Sequence, residues 1–476
     1  MLTRRMTPGI GPLLAAIRGM ATGEQNCPDM EHNNLNFAEN RPISMMDPTN
    51  PVQIAAFGRD RSPHETGKIQ FKPLQNRPNS IPTSPLETEG LEPGMATEIL
   101  VSTSPDALIE EWQAFEQRHF GNQLQSLWCS AWYQSQINNP SRSPYILHGR
   151  DRDGDLLFVL ALEQVRKGPL TYLVRPGNHH NGYYGGSFAP SLQQWISRGH
   201  GEEFWAMVFA KIGGIDALFI EGFSTDHFGI NHPLSHLPKI EATHSAMRMQ
   251  IETDWKAQYE RSCNSKVRSN DRRCERRLQE SGSLSYQVAT DRETKLEFLR
   301  VMLSQKAQQF DALDISNPYQ SPQVVHFYEQ LLMQEDDDSH PAVFVSALHL
   351  DDEILAVNFG LIDGGILHGL ITSMTVGATK RFAPGRLLLL KTNQALSDQN
   401  IKFHDFGIGE FIYKEAWCDQ AIKRQHILTN LSARGLLFTS AVKLVESLRQ
   451  FAENRPGLKK HLHAVRRRLN NRTAKD

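Results

Sequence analysis

From about Thr97 onward, apolar and polar positions fall into a regular order, and the order runs twice. In the first pass, YILHGR (145–150), the turn DRDGD and the apolar run LLFVLALEQV (156–165) predict a strand, a tight Asp-containing turn and a strand. In the second, VFVSALHL (343–350), DDE and ILAVNFGLI (354–362) predict another such hairpin. Each pass continues into a helical stretch, around Trp195 to Ile212 and around Arg386 to Ser397. A short strand follows, DALFIEGF (216–223) or IKFHDFGIG (401–409). Two copies of one hairpin, helix and strand unit are the economical reading; chance alternation of α and β elements is the competing one. Between the passes, Trp255, Tyr259, Cys263, Val267, Cys274 and Leu278 fall mostly four apart, a narrow apolar stripe on a helix. Its other faces carry Lys266, Arg268, Arg272, Arg273, Arg276 and Arg277, with Asp271 and Glu275 interleaved. That charge is either a solvated face laced by i,i+4 pairs or a contact for phosphate groups.

The ends of the chain differ in kind. Twelve of the 25 prolines lie in the first 95 residues, and fixed φ with missing amide donors at that density predicts a disordered tail over 1–95. Its start, MLTRRMTPGIGPLLAAIRGMA, has the basic beginning and small-residue end of an export signal. Pro8, Pro12 and Arg18 interrupt the apolar part, so an unstructured tail is expected ahead of a targeting or interfacial helix. At the other end, GLKKHLHAVRRRLNNR (457–472) places Leu458, Leu462, Val465 and Leu469 on one helical face among Lys and Arg. It reads as a terminal helix packed on the domain, or as one lying on an anionic membrane surface. The expected organisation is a tail over 1–95, units over 96–250 and 251–435, and a basic helical tail over 436–476.

Composition narrows the class. With 476 residues, 39% hydrophobic and 22% charged, the chain reads as a soluble globular protein of several units, with no apolar run of membrane-spanning length. Lys+Arg 51 against Asp+Glu 53 leave a net charge of -2, so basic function must be local and DNA is not expected as a partner. The five cysteines, Cys27, Cys129, Cys263, Cys274 and Cys418, are scattered without a CxxC pair and read as reduced thiols of a cytoplasmic protein. His179-His180 has no third ligand nearby in sequence, so no metal site is expected.

The chemistry concentrates in 366–419. A buried strand, 366–374, meets a loop with Gly377, and Pro384-Gly385-Arg386 then opens a helix whose first amides suit an anion such as a pyrophosphate. FHDFGIGEFIYKEAW then gathers Asp405, Glu410, Tyr413, Lys414 and Trp417 after a strand end. Acid, phenol and amine together can move protons and bind charge. Packing roles for Tyr413 and Trp417, with a Lys414–Glu410 pair, are the alternative.

PGRLLLL, the helix and FHDFGIGEFIYKEAW resemble the C-terminal signature of the GNAT-superfamily acyltransferase domain of CelD-like cellulose- and exopolysaccharide-biosynthesis proteins, distant relatives of FemAB-type transferases. KVRSNDRRCERRLQE is similar to the basic helix that precedes this family's second half, and DGDLLFVLALEQ with YYGG (183–186) to its first-half pattern. The resemblance covers roughly 97–435. It implies an α/β fold of two tandem GNAT-like units, mixed β-sheets flanked by helices, that transfers an acyl group from acetyl-CoA or another acyl-CoA to an amine or hydroxyl. Met374, Thr375 and Val376 would meet the pantetheine arm, and Gly377, Pro384, Gly385 and Arg386 the pyrophosphate. Asp405 or Glu410 would be the base, Tyr413 the proton donor and Lys414 a charge-binding group. Tyr183, Tyr184, Trp417 and Arg272 would line the place of a sugar, peptide or lipid-linked acceptor, beside a polysaccharide synthase at the inner membrane face. The loop departs from the family's Q/R-x-x-G-x-G/A pattern. That leaves a FemAB-like aminoacyl-tRNA-dependent transferase, or a catalytically silent adaptor of a synthase complex, as alternatives.

Overall fold

A computed structural model of the protein describes residues 98–121, 123–178, 180, 183–334, 342–408 and 417–453. The expected tail 1–95, the basic segment 457–472 and Glu410, Tyr413 and Lys414 lie outside the described residues.

The described residues form two mixed sheets flanked by helices. The first runs in the order β1 (Glu98–Ser102), β2 (Arg142–Arg150), β3 (Leu156–Lys167), β4 (Leu170–Val174), β6 (Ala217–Phe223), β15 (Gln425–Asn430) and β7 (Lys239–Glu241), with β5 (Ser187–Phe188) paired to β3. The second runs β14 (Gln420–Ile422), β8 (Ala246–Gln250), β13 (Phe403–Ile408), β12 (Ile366–Met374), β11 (Glu353–Asp363), β10 (Ala342–Leu350) and β9 (Leu284–Val288). Both predicted hairpins are present, β2–β3 and β10–β11, each antiparallel and each closed by an Asp-containing turn. Each sheet then adds an antiparallel third strand and, through a helical crossover, one parallel pair, β4 with β6 and β12 with β13.

The sheets exchange strands. Beyond its parallel pair, the first sheet takes in β15 from the end of the second repeat, and the second takes in β8 from the end of the first. Each guest strand pairs antiparallel with the host's parallel strand and with a short strand outside it. One continuous core joins the repeats: α2 (Leu124–Ser135) packs Trp128 and Trp132 edge-on against Phe327 of α9 (Pro322–Gln334).

Local chemistry shapes two helices differently from the sequence expectation. The stretch around 195–212 is two helices, α3 (Pro190–Trp195) and α4 (Gly201–Ala210), joined by a π turn over Ile196–His200 with Gly199 at φ 109. The basic helix of 255–280 is likewise α6 (Trp255–Ser262) and α7 (Ser265–Gln279). Cys263 is extended, and Asn264 restarts the helix by accepting from the Val267 amide, an N-cap that ends one ladder and opens the next.

Candidate active site

In each sheet the parallel strands pair over three residues. In the second, Ile366 faces Phe403, Leu367 faces His404 and His368 faces Asp405, with Asp405 facing Arg248 on the guest strand β8. Gly407, at φ +73, turns the backbone so that its amide donates to Asp405 Oδ1 at 2.8 Å, a conformation open to glycine. The counterpart row in the first sheet is Val174, Phe219 and Leu428. One repeat therefore carries an imidazole, a carboxylate and a guanidinium where the other carries three apolar side chains.

Asp405 is buried and accepts from Arg248 Nε at 3.3 Å and Nη2 at 3.2 Å, and from the Tyr183 hydroxyl at 2.9 Å. Burial pushes its carboxyl up, but Arg248, His368, the Gly407 amide and the Tyr183 hydroxyl outweigh burial and hold it below the ordinary aspartate range. Burial, then the Asp405 charge, push the Tyr183 phenol well above its ordinary value, so it stays a donor. His227 stacks on Tyr183 with ring centres 4.6 Å apart, and its Nδ1 accepts from Arg248 Nη2 at 3.0 Å. Burial, Arg248 and His368 keep that imidazole neutral. His368 is lowered to about 4, chiefly by burial, and its buried Nε2 has no hydrogen-bond partner among the described residues.

Asp405 thus accepts four hydrogen bonds, and through them it orients Arg248 and Tyr183. Sequence reasoning missed Arg248, His227 and His368, which stand 157, 178 and 37 residues from Asp405 and belong to no contiguous motif. Of the adjacent tyrosines, Tyr183 reaches this cluster. Tyr184 is buried in the first core and donates to the Ala161 carbonyl.

The strand, loop and helix over 374–386 also separate into distinct environments. The Met374 carbonyl accepts from Gln309 at 2.7 Å, and the Thr375 amide extends the β11 ladder through Leu355. Val376 and Gly377 are exposed, and a 3₁₀ turn over Ala378–Phe382 leads to Pro384 at the first position of α10 (Pro384–Asp398). Gly385 packs on Met374, whose Sδ would lie 3.2 Å from an added Cβ. Arg386, expected to meet a pyrophosphate, is buried and spent. It grips Asp271 bidentately at 2.7 and 2.9 Å and lies over the Trp417 ring, 4.9 Å from its centre. Trp417 in turn stacks on Trp255 and is buried in that cluster. Arg272 is exposed on α7, which packs beside the 3₁₀ turn carrying Lys380 and Arg381.

Residues 265–415 match the family model described as an acetyltransferase (GNAT) domain. The stretch similar to that domain lies in the second half of the chain, within an α/β fold of two mixed sheets. Solved structures similar to it include FemX (11% identity, 72% of this chain and 100% of that chain, TM-score 0.47). A second is the C-terminal domain of a putative lysylphosphatidylglycerol synthetase from Agrobacterium fabrum (10%, 72% and 97%, TM-score 0.42). A third is a tandem GNAT protein from the clavulanic acid biosynthesis pathway (9%, 70% and 99%, TM-score 0.34). Comparison with curated proteins gives no significant match. Among the described residues, no helix is long and apolar enough to cross a membrane.

Proposed function

We propose that the protein is an acyl-CoA-dependent N- or O-acyltransferase with one reaction centre, built on the second sheet. The observation that carries this reading is the row His368, Asp405 and Arg248 set against Val174, Phe219 and Leu428 at the matching positions of the first sheet. An acyl transfer needs a proton acceptor for the incoming nucleophile, donors for the developing oxyanion and a binding surface for the donor's phosphates. Asp405 fixes the Arg248 guanidinium and the Tyr183 hydroxyl beside the parallel strands. His368, neutral and with Nε2 unspent among the described residues, is the hydrogen-bonding group left over in that cluster. Glu410 as base, Tyr413 as proton donor and Lys414 as charge-binding group complete the proposal from the adjoining sequence. The pantetheine arm would follow Met374, Thr375 and Val376. With the Arg386 side chain held by Asp271 and the Arg386 and Leu387 amides donating to the Ala383 carbonyl, the phosphates fall to Gly377, the Gly385 amide beside Pro384, and the cations Lys380, Arg381 and Arg272. The CelD-like resemblance of the sequence favours an acceptor in cellulose, exopolysaccharide or cell-envelope synthesis.

Titration calorimetry with acetyl-CoA and CoA tests the donor. Binding of one molecule per chain supports the reading, and transfer from aminoacyl-tRNA without CoA binding replaces it with the FemAB-like one.

A further inference from the structure

The last described helix, α11 (Ala433–Glu453), carries apolar side chains on two opposite faces. Its inner face, with Gly435, Phe438, Thr439 and Glu446, packs on the first sheet. The start is fixed there, since the Gly435 amide donates to Ser432 Oγ and both Ser432 and Arg434 hold Asp216. Its outer face exposes Leu437, Leu444, Leu448 and Phe451 at 61%, 61%, 57% and 48%. They stand 7, 4 and 3 residues apart, one ridge about 21 Å long at 1.5 Å per residue. Three large apolar side chains more than half exposed, in line with a fourth at 48%, are not what a solvated helix carries.

Charge says what the ridge meets. Lys443 is exposed on α11, as is Arg434, which also holds Asp216, whereas Glu446 is buried under Thr243 and Arg449 and Glu453 is half-buried. The sequence that follows, 454–476, holds eight Lys and Arg against one acid, and sets Leu458, Leu462, Val465 and Leu469 apart by 4, 3 and 4 residues. A second copy would bring two such cationic stretches together, at a repulsive cost. An anionic bilayer surface suits both features, since apolar side chains enter the headgroup boundary while Lys and Arg meet lipid phosphates. The geometry points to the outer face of α11 as a docking surface for anionic membranes, with the basic C-terminal sequence as its electrostatic complement.

Co-sedimentation of the full chain with phosphatidylcholine vesicles, with and without phosphatidylglycerol, tests this. The intact protein should bind the phosphatidylglycerol vesicles and release in high salt. The pair Leu444→Glu and Leu448→Glu should cut binding at least about tenfold, with an unchanged thermal midpoint. The triple change R466Q/R467Q/R468Q should weaken binding to anionic vesicles alone. Equal binding to both vesicle types, or to neither, would overturn the inference. So would a fall of several degrees in the midpoint of the Leu444→Glu and Leu448→Glu protein, which would mean that the ridge is covered by the chain itself. A dimer in light scattering that those changes dissociate would assign the ridge to a second copy instead.

Discussion

The Tyr183 hydroxyl, in the first repeat, donates to Asp405 Oδ2 in the second at 2.9 Å, on a carboxylate that Arg248 also holds. Arg248 itself arrives on a strand that the first repeat lends to the second sheet. This cluster therefore depends on the exchange of strands, and loosening the contact should loosen both repeats. Tyr183→Phe removes one hydrogen bond to a charged group and should cost about 1.5–3 kcal/mol. Asp405→Asn leaves the buried Arg248 short of its counter-charge and should cost about 3–5 kcal/mol. Urea denaturation followed by near-ultraviolet circular dichroism measures both. Wild-type stability in Asp405→Asn would contradict the assignment of Asp405 as a fixed, paired anion.

Arg386 offers the matching test at the helix start. Its bidentate grip on Asp271 is buried beside Trp417, so Arg386→Ala should destabilise the fold by about 3–5 kcal/mol through the charge it strands. The double change Arg386→Met and Asp271→Leu should recover part of that loss, because it removes both charges. Additive losses in thermal melts of the single and double variants would show that the two side chains do not act as a pair.

How much of this was legible in the sequence follows from how local each feature is. The hairpins could be read because β2–β3 and β10–β11 join neighbouring strands through short Asp-bearing turns, and alternation with turn chemistry is a local signal. The crossover helix Pro384–Asp398 announces itself by Pro at its first position. The strand exchange was not legible: β8 and β15 are short strands like the others, and nothing in five or six residues says which sheet they enter. The motif around Asp405 singled out this carboxylate, but its partners Arg248 and Tyr183 are brought to it only by the folded topology. Trp417 and Arg386 looked like ligand-binding types and are packed together, since burial is decided by α6 and α7, far off in sequence.

Two glycines should respond very differently to a methyl group. A Cβ on Gly435 would lie 1.7 Å from the Asp216 carbonyl oxygen, a backbone atom that cannot yield without moving α11 off the first sheet. Gly435→Ala should therefore cost at least about 3 kcal/mol or prevent folding. A Cβ on Gly385 meets only the Met374 thioether, so Gly385→Ala should cost less than about 1.5 kcal/mol. Equal melting temperatures for the two variants would contradict the packing at Gly435.

The buried imidazoles predict a pH dependence. His368, lowered to about 4, and His232, lowered to about 3, are both pushed down chiefly by burial and stay neutral in the fold where an unfolded imidazole near 6.5 takes up a proton. The unfolded state then binds more protons, so stability is full above about pH 6.5 and falls as pH drops toward 4. The loss is up to about 1.4 kcal/mol per pH unit for each group. Glu116, raised to about 7 by burial, acts with the opposite sign: its contribution is present below about 4.5 and is lost as pH rises through 7. His232→Gln isolates one group, and its stability between pH 6.5 and 4 should fall less steeply than that of the wild type. Parallel curves would rule out a neutral buried His232.

One titration bears on the central claim most directly: acetyl-CoA added to the full chain in a calorimeter, beside the charge-reversed variant Arg272→Glu with Arg381→Glu. The account predicts one molecule bound per chain, and an affinity lowered about tenfold or more in the variant, since two exposed cations beside the 374–386 loop meet the donor's phosphates. No binding would contradict the acyl-CoA reading. Two molecules per chain would contradict the single centre marked by His368, Asp405 and Arg248.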